Sequence, residues 1–346
     1  MSAMSPTLER LVRHRTRRTR RRWTVICGFL ALAVFLFGLT LSVGQSVVAP
    51  RDVLRVLAGE PVPGASFVVG QLRLPRAVLA TLAGVCFGLG GAAFQTMLRN
   101  PLASPDIIGI TSGAGAAAVF AIVVLQMSGP IVSLLAVGAG LCVALAVYGL
   151  SFRNGVGGTR LILVGIGVST MLQSVIAYLL STAPSWSLQE AMRWLTGSVN
   201  GAQLQQALPL LLAIGLFGSL LLSRVRDLEA LRLGDETASA LGVQVNRTRM
   251  TVIVSAVGMI AAATAITGPI AFVAFLSGPI AARIVRASGS LLLPAALVGA
   301  ILVLAGDYAG QVLLPSRYPV GVITGALGAP YLLLLIVRVN RTGGSL

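Results

Sequence analysis

The residues that could carry out chemistry are few and lie far apart in this sequence. The single histidine is His14, and the three cysteines, Cys27, Cys86 and Cys142, each lie inside an apolar run. A metal site needs such residues at short spacings, and a catalytic site needs a nucleophile beside a base. We therefore predict no catalytic residue, metal ligand, cofactor or disulfide, and we interpret the cysteines as small buried apolar side chains.

The cationic residues lead to a further exclusion, because all 26 are arginine. A nucleotide-binding P-loop uses a lysine to reach the β- and γ-phosphates of ATP. The chain has no lysine and cannot form this loop. Any ATP hydrolysis that drives it must come from another polypeptide.

Residues 223–250 separate two apolar segments. They form the largest polar interruption on the side of the membrane that we predict to be cytoplasmic. The segment holds four of the ten acidic residues: Asp227, Glu229, Asp235 and Glu236. Such a segment could dock a partner protein or be a solvated loop with one helical turn, and the residue types alone favour neither.

A short helix is predicted within this segment. Asp235 can cap its start, Glu236 suits the positive helix end, and Gly242 can terminate it. Ala238 and Leu241 are three residues apart and would share one small apolar face. That face is the part of the segment best suited to a groove on a partner.

Asp307 is an acidic residue well inside an apolar segment. A charge at mid-bilayer costs about 2.5–3.5 kcal/mol on insertion scales. Asp307 could couple transport to protons, line a path or stabilise packing through a polar network. We favour the polar network, because Asp307 lies towards one end of its segment, and we class Asp307 and Gln95 as intramembrane polar residues.

The composition indicates that membrane helices hold these residues in place. Hydrophobic residues make up 56% of the 346 positions, charged residues 10%, and the mean hydropathy is +0.90. A soluble domain carries about 25% charged residues. Runs of roughly 20 apolar residues match the bilayer core, where helices satisfy their own backbone groups. The sequence therefore predicts an all-α integral membrane protein in a lipid bilayer.

Ten apolar segments are the predicted transmembrane helices: 24–46, 76–97, 105–126, 130–151, 159–182, 205–223, 249–267, 270–284, 289–312 and 319–338. They leave an arginine-rich tail at 1–23, a ten-helix domain at 24–338 and a C-terminal tail at 339–346. Only Gly268-Pro269 separates the seventh and eighth segments. Gly84-x3-Gly88 and Gly109-x3-Gly113 fit close helix packing, which we expect within the subunit rather than at a dimer interface.

The arginine distribution predicts the orientation. With the N-terminus inside, the predicted cytoplasmic parts hold 20 arginines and the outer loops six. This bias follows the positive-inside rule and predicts that both termini are cytoplasmic. The eight arginines of residues 1–23 could also bind nucleic acid, but they adjoin an apolar segment, so we interpret them as its cytoplasmic flank and expect no nucleic-acid partner.

Four groups of residues follow one another along the chain. They are Arg73-Leu74-Pro75-Arg76 with Gln95 and Arg99-Asn100-Pro101-Leu102-Ala103, then Trp194-Leu195-x-Gly197-Ser198, then Leu231-Arg232-Leu233-Gly234 with Ala238, Leu241 and Gly242, and last Pro319-Val320-Gly321-Val322-x-Thr324. In this order they resemble the FecCD/BtuC family of ABC importer permeases, which transport ferric siderophores and vitamin B12.

The resemblance implies a BtuC-like, type II ABC importer permease with ten helices in the bacterial cytoplasmic (inner) membrane. Its partners would be a cytoplasmic ABC ATPase dimer, an extracytoplasmic substrate-binding protein and a second permease subunit. The likeness to the catecholate branch favours a related but different second subunit, with a homodimer as the alternative.

The resemblance also assigns residues to roles. The ATPase-coupling residues would be Leu233, Gly234, Asp235, Glu236, Ala238, Leu241 and Gly242. Arg73 and Arg76 would dock the binding protein. A third docking arginine of the family would fall near the uncharged Gln311, so Arg317 is the candidate for that contact. The family's Pro-His pair is replaced here by Gly278-Pro279, so the role of that histidine is not carried over.

The substrate is predicted from branch-level likeness. The likeness to ferric-enterobactin permeases is carried by Phe152-Arg153-Asn154-Gly155, residues 160–168 and Gly234-Asp235-Glu236-Thr237-Ala238, so we expect a ferric siderophore of the catecholate type. Vitamin B12, haem and hydroxamate siderophores are alternatives within the family. A proton- or sodium-coupled secondary transporter is a second class of function, but it would need more ionisable residues in its spans, or inverted repeats. A membrane enzyme would be a third class.

Overall fold

The computed structural model describes residues 6–105, 109–151, 158–286 and 289–341. Within these residues the fold contains helices and no named β-strand. The α-helices are α1 Pro6–Ser42, α2 Pro50–Leu57, α3 Ala65–Phe67, α4 Leu74–Leu98, α5 Ile110–Val123, α6 Pro130–Ser151, α7 Gly158–Ser181, α8 Ser185–Thr196, α9 Ala207–Ala213, α10 Ser219–Ser223, α11 Val225–Leu231, α12 Asp235–Ala240, α13 Val245–Thr267, α14 Val273–Val285, α15 Leu292–Tyr308 and α16 Val320–Arg341. The Phe152–Gly155 likeness and the extreme ends of both predicted tails lie outside the described residues.

Wider helical turns interrupt or extend several of these helices. π-Helical turns at Val68–Arg73, Ile214–Gly218 and Ala309–Leu313 join α3 to α4, join α9 to α10 and extend α15. A 3₁₀ turn at Leu204–Gln206 precedes α9. The apolar segments therefore continue through these turns without leaving the helical conformation.

In the described part of the chain, seven helical segments are long and apolar enough to cross a membrane: Thr16–Ser42, Ala65–Leu98, Pro130–Ser151, Arg160–Ser181, Leu204–Ser223, Val245–Thr267 and Leu292–Leu313. Three shorter apolar helices, Ile110–Val123, Val273–Val285 and Val320–Leu335, coincide with the third, eighth and tenth predicted spans. The all-helical fold with membrane-length apolar helices is confirmed, while the number of ten spans stays a prediction.

Several elements differ from the sequence prediction. Helix α1 runs through the predicted boundary at residue 23, and the short helices α2 and α8 were not predicted. Cys86 is buried as predicted, but Cys27 and Cys142 are exposed on the outside of the bundle. The interpretation of all three cysteines as buried was wrong because α1 and α6 lie at the periphery, so their apolar residues are not all covered by other helices.

Helix α4 lies at the centre of the bundle, and α15 packs against it in the opposite direction. Gly84 faces Gly299, and a Cβ atom on Gly84 would lie 2.5 Å from the carbonyl oxygen of Gly299. Gly88 meets the backbone at Ala295 one turn further along. The predicted packing of Gly84-x3-Gly88 within the subunit is confirmed, because only glycine lets these two backbones approach so closely.

The antiparallel packing of α4 and α15 defines two ends of the bundle. The Arg76 end contains the start of α4, the end of α15 and the end of α1 at Ser42. The α12 end contains the end of α4 at Leu98, the start of α15, and Arg22 of α1, whose guanidinium donates to the carbonyl of Ser290 at 2.7 Å.

Candidate coupling site

The polar segment between α10 and α13 folds into two short helices at the α12 end. Gly234 separates them with φ +105°, a backbone conformation that favours glycine. Gly234 is also the N-cap residue of α12, and no side chain caps this helix. The prediction that Asp235 caps the helix was therefore wrong, because Asp235 is the first helical residue and its carboxylate is used elsewhere.

Two residues after its last helical residue, Ala240, helix α12 is terminated by Gly242, as the sequence predicts. Its φ of +84° allows its N–H to donate to the carbonyl of Ser239 at 2.9 Å. The N–H of Val243 then donates to the carbonyl of Ala238 at 3.0 Å. These two bonds form a Schellman motif, which satisfies the last carbonyls of the helix and fixes the chain that leads into α13.

The carboxylate of Asp235 links α12 to two long helices. Both of its oxygens accept from Nη2 of Arg249 on α13 at 2.9 Å. A third contact, at 3.5 Å, joins it to Arg99, which follows the last turn of α4. The Arg249 side chain is only 11% exposed, whereas those of Arg99 and Asp235 are half-exposed. Asp235 is thus the point where α4, α12 and α13 meet.

The apolar side chains of this segment divide into a buried and an exposed group. Ala238 is fully buried and belongs to the core, so it cannot share an exposed face with Leu241. Leu233 and Leu241 are each 64% exposed, on either side of α12. This finding corrects the predicted contact face: the apolar pair that a partner could reach is Leu233 and Leu241, which we call the coupling face. Glu236 is exposed beside it.

The contacts of α12 would transmit a movement of this helix to α4 and α13 in the centre of the bundle. Ala238 is packed in the core, and Asp235 is held by the ends of α4 and α13, so α12 has little freedom to move alone. Arg99 belongs to one of the quoted motifs and Arg249 begins the predicted span 249–267, but the sequence alone did not show that Asp235 is their shared partner. The available signal was an arginine at the start of a predicted span, where a buried charge needs a counter-ion.

A second ion pair, at the opposite end of the bundle, joins α4 to α15. Nε of Arg76 donates to Oδ2 of Asp307 at 2.6 Å, and Nη2 donates to Oδ1 at 2.5 Å. The two side chains are 17% and 3% exposed. This two-point geometry uses the fork of the guanidinium and supplies the polar network favoured for Asp307. It also leaves Arg76 little surface for a docking contact.

Arg73 and Arg317, the other two predicted docking residues, have different surroundings. The Arg73 guanidinium donates to the carbonyls of Leu41, Ser42 and Ser46 at 2.9, 3.0 and 2.5 Å. It therefore caps the end of α1, where a cation also complements the helix dipole. Arg317 is exposed, and none of the described carboxylates pairs with it. Of the three arginines, Arg317 is the one best placed to meet a partner.

Gln95 lies between α4 and α14 and explains the unusual Gly278-Pro279 pair. Pro279 has no N–H, so the carbonyl of Phe275 one turn earlier lacks its helical donor. Nε2 of Gln95 donates to that carbonyl at 2.9 Å. Its Oε1 lies against Gly278, where any Cβ would collide with it. Glycine at 278 therefore makes room for the amide that replaces the missing backbone donor.

We expect Gln95→Met to destabilise the protein by about 1–3 kcal/mol, because the buried carbonyl of Phe275 then has no donor. Pro279→Ala restores the helical N–H and should remove most of this loss. Thermal unfolding of the two single variants and the double variant in detergent measures the effect. The same loss with and without Pro279 would show that Gln95 acts through packing alone.

Three backbone segments meet at glycines at the Arg76 end. The N–H of Gly321 donates to the carbonyl of Gly197 at 3.1 Å, and the N–H of Ser198 donates to that of Thr267 at 2.6 Å. A Cβ on Gly197, Gly268 or Gly321 would strike the backbone of a neighbouring segment. Two of the motifs quoted above, around Gly197 and Gly321, are thus brought together by the fold. The glycines of these motifs allow the backbones of neighbouring segments to come into contact.

Comparison with known proteins gives consistent matches over most of the chain. The model of the FecCD transport family matches residues 31–338. The ferric enterobactin transport system permease protein FepG of Escherichia coli is 38% identical over 326 residues, covering 93% of this chain and 98% of that protein. The achromobactin transport system permease protein CbrC of Dickeya dadantii is 39% identical over 314 residues, with 89% of each chain covered.

A solved structure has the same architecture. It is an inward-facing conformation of a metal-chelate type ABC transporter, with a TM-score of 0.79 and 26% identity. The match covers 92% of this chain and 99% of that chain. The helical arrangement described above is therefore similar to that of an ABC transporter chain over nearly its full length.

Proposed function

Because the chain belongs to the FecCD transport family of siderophore and iron-chelate ABC importer permeases, we propose that it moves a ferric siderophore of the catecholate type across the inner membrane. The observation that carries the proposal is the 38% identity to a ferric enterobactin permease over 98% of that protein's length. Vitamin B12, haem and hydroxamate siderophores are the alternatives within the family.

The proposed topology has ten membrane spans with both termini in the cytoplasm. The seven long apolar helices and the three shorter ones coincide with the ten predicted spans. The α12 end, which carries most of the arginines, is then cytoplasmic, and the Arg76 end faces outward. This orientation places the coupling face on the side of the membrane where ATP is available.

The energy for transport is proposed to come from a separate ABC ATPase dimer. The chain has no lysine for a P-loop, so it acts as a pore subunit and not as an enzyme. Leu233 and Leu241 would enter a groove of the ATPase, and Asp235 would pass the displacement to Arg99 and Arg249. A second permease subunit, related to this chain or identical to it, completes the pore.

Docking of the extracytoplasmic substrate-binding protein is proposed to involve Arg317 directly. Its charge is exposed at the outward end and suits an acidic side chain of the partner. Arg73 and Arg76 would support this surface from within, since their guanidinium groups hold α1 and α15 in place. They remain candidates for direct contact in a rearranged complex.

Uptake into reconstituted vesicles tests this function. The chain is purified with its partner permease and ATPase, and vesicles are supplied with binding protein and a ⁵⁵Fe-labelled tricatecholate or trihydroxamate. We expect ATP-dependent accumulation of the tricatecholate that persists when the proton gradient is collapsed. ATP-driven uptake of the trihydroxamate alone would overturn the substrate class, and uptake driven only by the proton gradient would overturn the ABC mechanism.

A further inference from the structure

Helix α1 extends well beyond the apolar stretch that spans the membrane. It contains 37 residues, so it is about 55 Å long, whereas the hydrocarbon core is about 30 Å thick. Its first part carries the arginine-rich sequence, and no break separates this part from the apolar part. The arginines next to the membrane therefore have fixed positions around a helix and are not on a flexible tail.

One side of α1 packs on the bundle and the other side is uncovered. Ile26 and Ala33 are buried, and Arg22, one turn before Ile26, holds the Ser290 carbonyl at the start of α15. On the uncovered side Leu30 and Val34 are 52% and 63% exposed. Such side chains in an apolar helix at the periphery face lipid, so this side of α1 is its lipid-facing side.

Four arginines lie in the turns of α1 that precede its apolar part. Arg17, Arg18, Arg20 and Arg21 are all exposed, and among the described residues no carboxylate pairs with them. Trp23 lies two residues after Arg21 and is 56% exposed, on the same side of the helix as Leu30 and Val34. Exposed tryptophan is typical of the boundary between headgroups and acyl chains.

The depth of these arginines matches the lipid headgroup layer. If Trp23 lies at the boundary, Arg17 is six residues further out, or about 9 Å. The headgroup region on each side of a bilayer is about 5–8 Å thick. All four guanidinium groups can therefore reach phosphates of the same leaflet, and none needs to leave the helix to do so.

We propose that Arg17, Arg18, Arg20 and Arg21 form a binding site for the headgroups of anionic phospholipids in the leaflet next to the α12 end. Guanidinium groups bind phosphate through paired hydrogen bonds, and clusters of four or more basic residues beside a membrane helix recognise anionic lipid. Arg22 ties α1 to the bundle through the Ser290 carbonyl, and the four arginines stay exposed around the helix at this level. The site rests on the proposed membrane topology and is independent of transport.

Quenching of Trp23 fluorescence by brominated lipids measures binding at this site. The full chain is placed in phosphatidylcholine nanodiscs that contain either brominated phosphatidylglycerol or brominated phosphatidylcholine. The signal of Trp23 is obtained by subtracting that of the Trp23→Phe protein, because Trp186 and Trp194 remain in both. We expect phosphatidylglycerol to be preferred about tenfold or more beside Trp23, and this preference to weaken at high salt.

Two matched variants distinguish a lipid site from a contact with a partner protein. R17Q/R18Q/R20Q/R21Q keeps the helix propensity but removes the charge, so the preference should fall to about one. R17K/R18K/R20K/R21K keeps the charge and should retain most of the preference. No preference in the unmodified protein, or a preference unchanged by the glutamine variant, would overturn the proposal. A glutamine variant that loses the ATPase but not the lipid preference would identify a protein contact and would also overturn it.

Discussion

Replacement of both Leu233 and Leu241 by aspartate is expected to release the ATPase and to abolish transport. The two side chains are each 64% exposed, so the free chain should tolerate the change with little loss of stability. In the complex, each carboxylate would be buried against an apolar groove without a partner. Buried anchor residues of an interface typically contribute about 2 kcal/mol or more each, so affinity should fall by a factor of about 1,000.

Copurification of the ATPase and uptake of labelled iron complex measure this effect together. Leu233→Met with Leu241→Met is the matched control, because it keeps the apolar surface, and it should retain both activities. Thermal unfolding of the aspartate variant should match that of the unmodified chain. An aspartate variant that is folded, holds the ATPase and transports at the normal rate would show that the coupling face lies elsewhere on the α12 end.

Removal of one partner from the Arg76–Asp307 pair is expected to have the largest effect on stability. Arg76→Gln leaves the Asp307 carboxylate, which is 3% exposed, without its counter-ion. Breaking a buried ion pair on one side costs about 3–5 kcal/mol. We expect little folded protein in detergent extracts, or a much lower unfolding temperature measured by fluorescence-detected gel filtration.

The double variant Arg76→Met with Asp307→Leu separates this structural role from docking. An apolar pair of similar size should restore most of the stability, because no unpaired charge remains. Binding of the substrate-binding protein can then be measured on a folded chain. If the single variant is as stable as the double one, the pair does not hold α4 to α15. If the stable double variant loses the binding protein, Arg76 also acts in docking.

The sequence predicts those features of the fold that depend on local pattern. Apolar runs predict the long helices closely, as at Pro130–Ser151, and Gly242 predicts the end of α12. Helix α8 was missed because it is short, carries Glu190 and Arg193, and does not reach the length of a span. The early start of α13 was missed for a similar reason, since polar residues precede its apolar run.

The candidate site was predicted only in outline, because its contacts join residues that are far apart in the chain. Arg76 and Asp307 were each singled out, but their 231-residue separation conceals that they form a pair. Spacing on an isolated helix placed Ala238 and Leu241 on one face. How much of that face is buried depends on the neighbouring helices, which cover Ala238 and leave Leu241 exposed.

Photo-crosslinking from position 241 tests most directly the claim that a separate ATPase drives this chain through α12. Benzoylphenylalanine replaces Leu241 in the assembled transporter, and the control carries it at Val47, which is 78% exposed at the Arg76 end. We expect an adduct between position 241 and a P-loop ATPase, identified by mass spectrometry, and no such adduct from position 47. Absence of the ATPase adduct at position 241, or an equal yield from position 47, would contradict the claim.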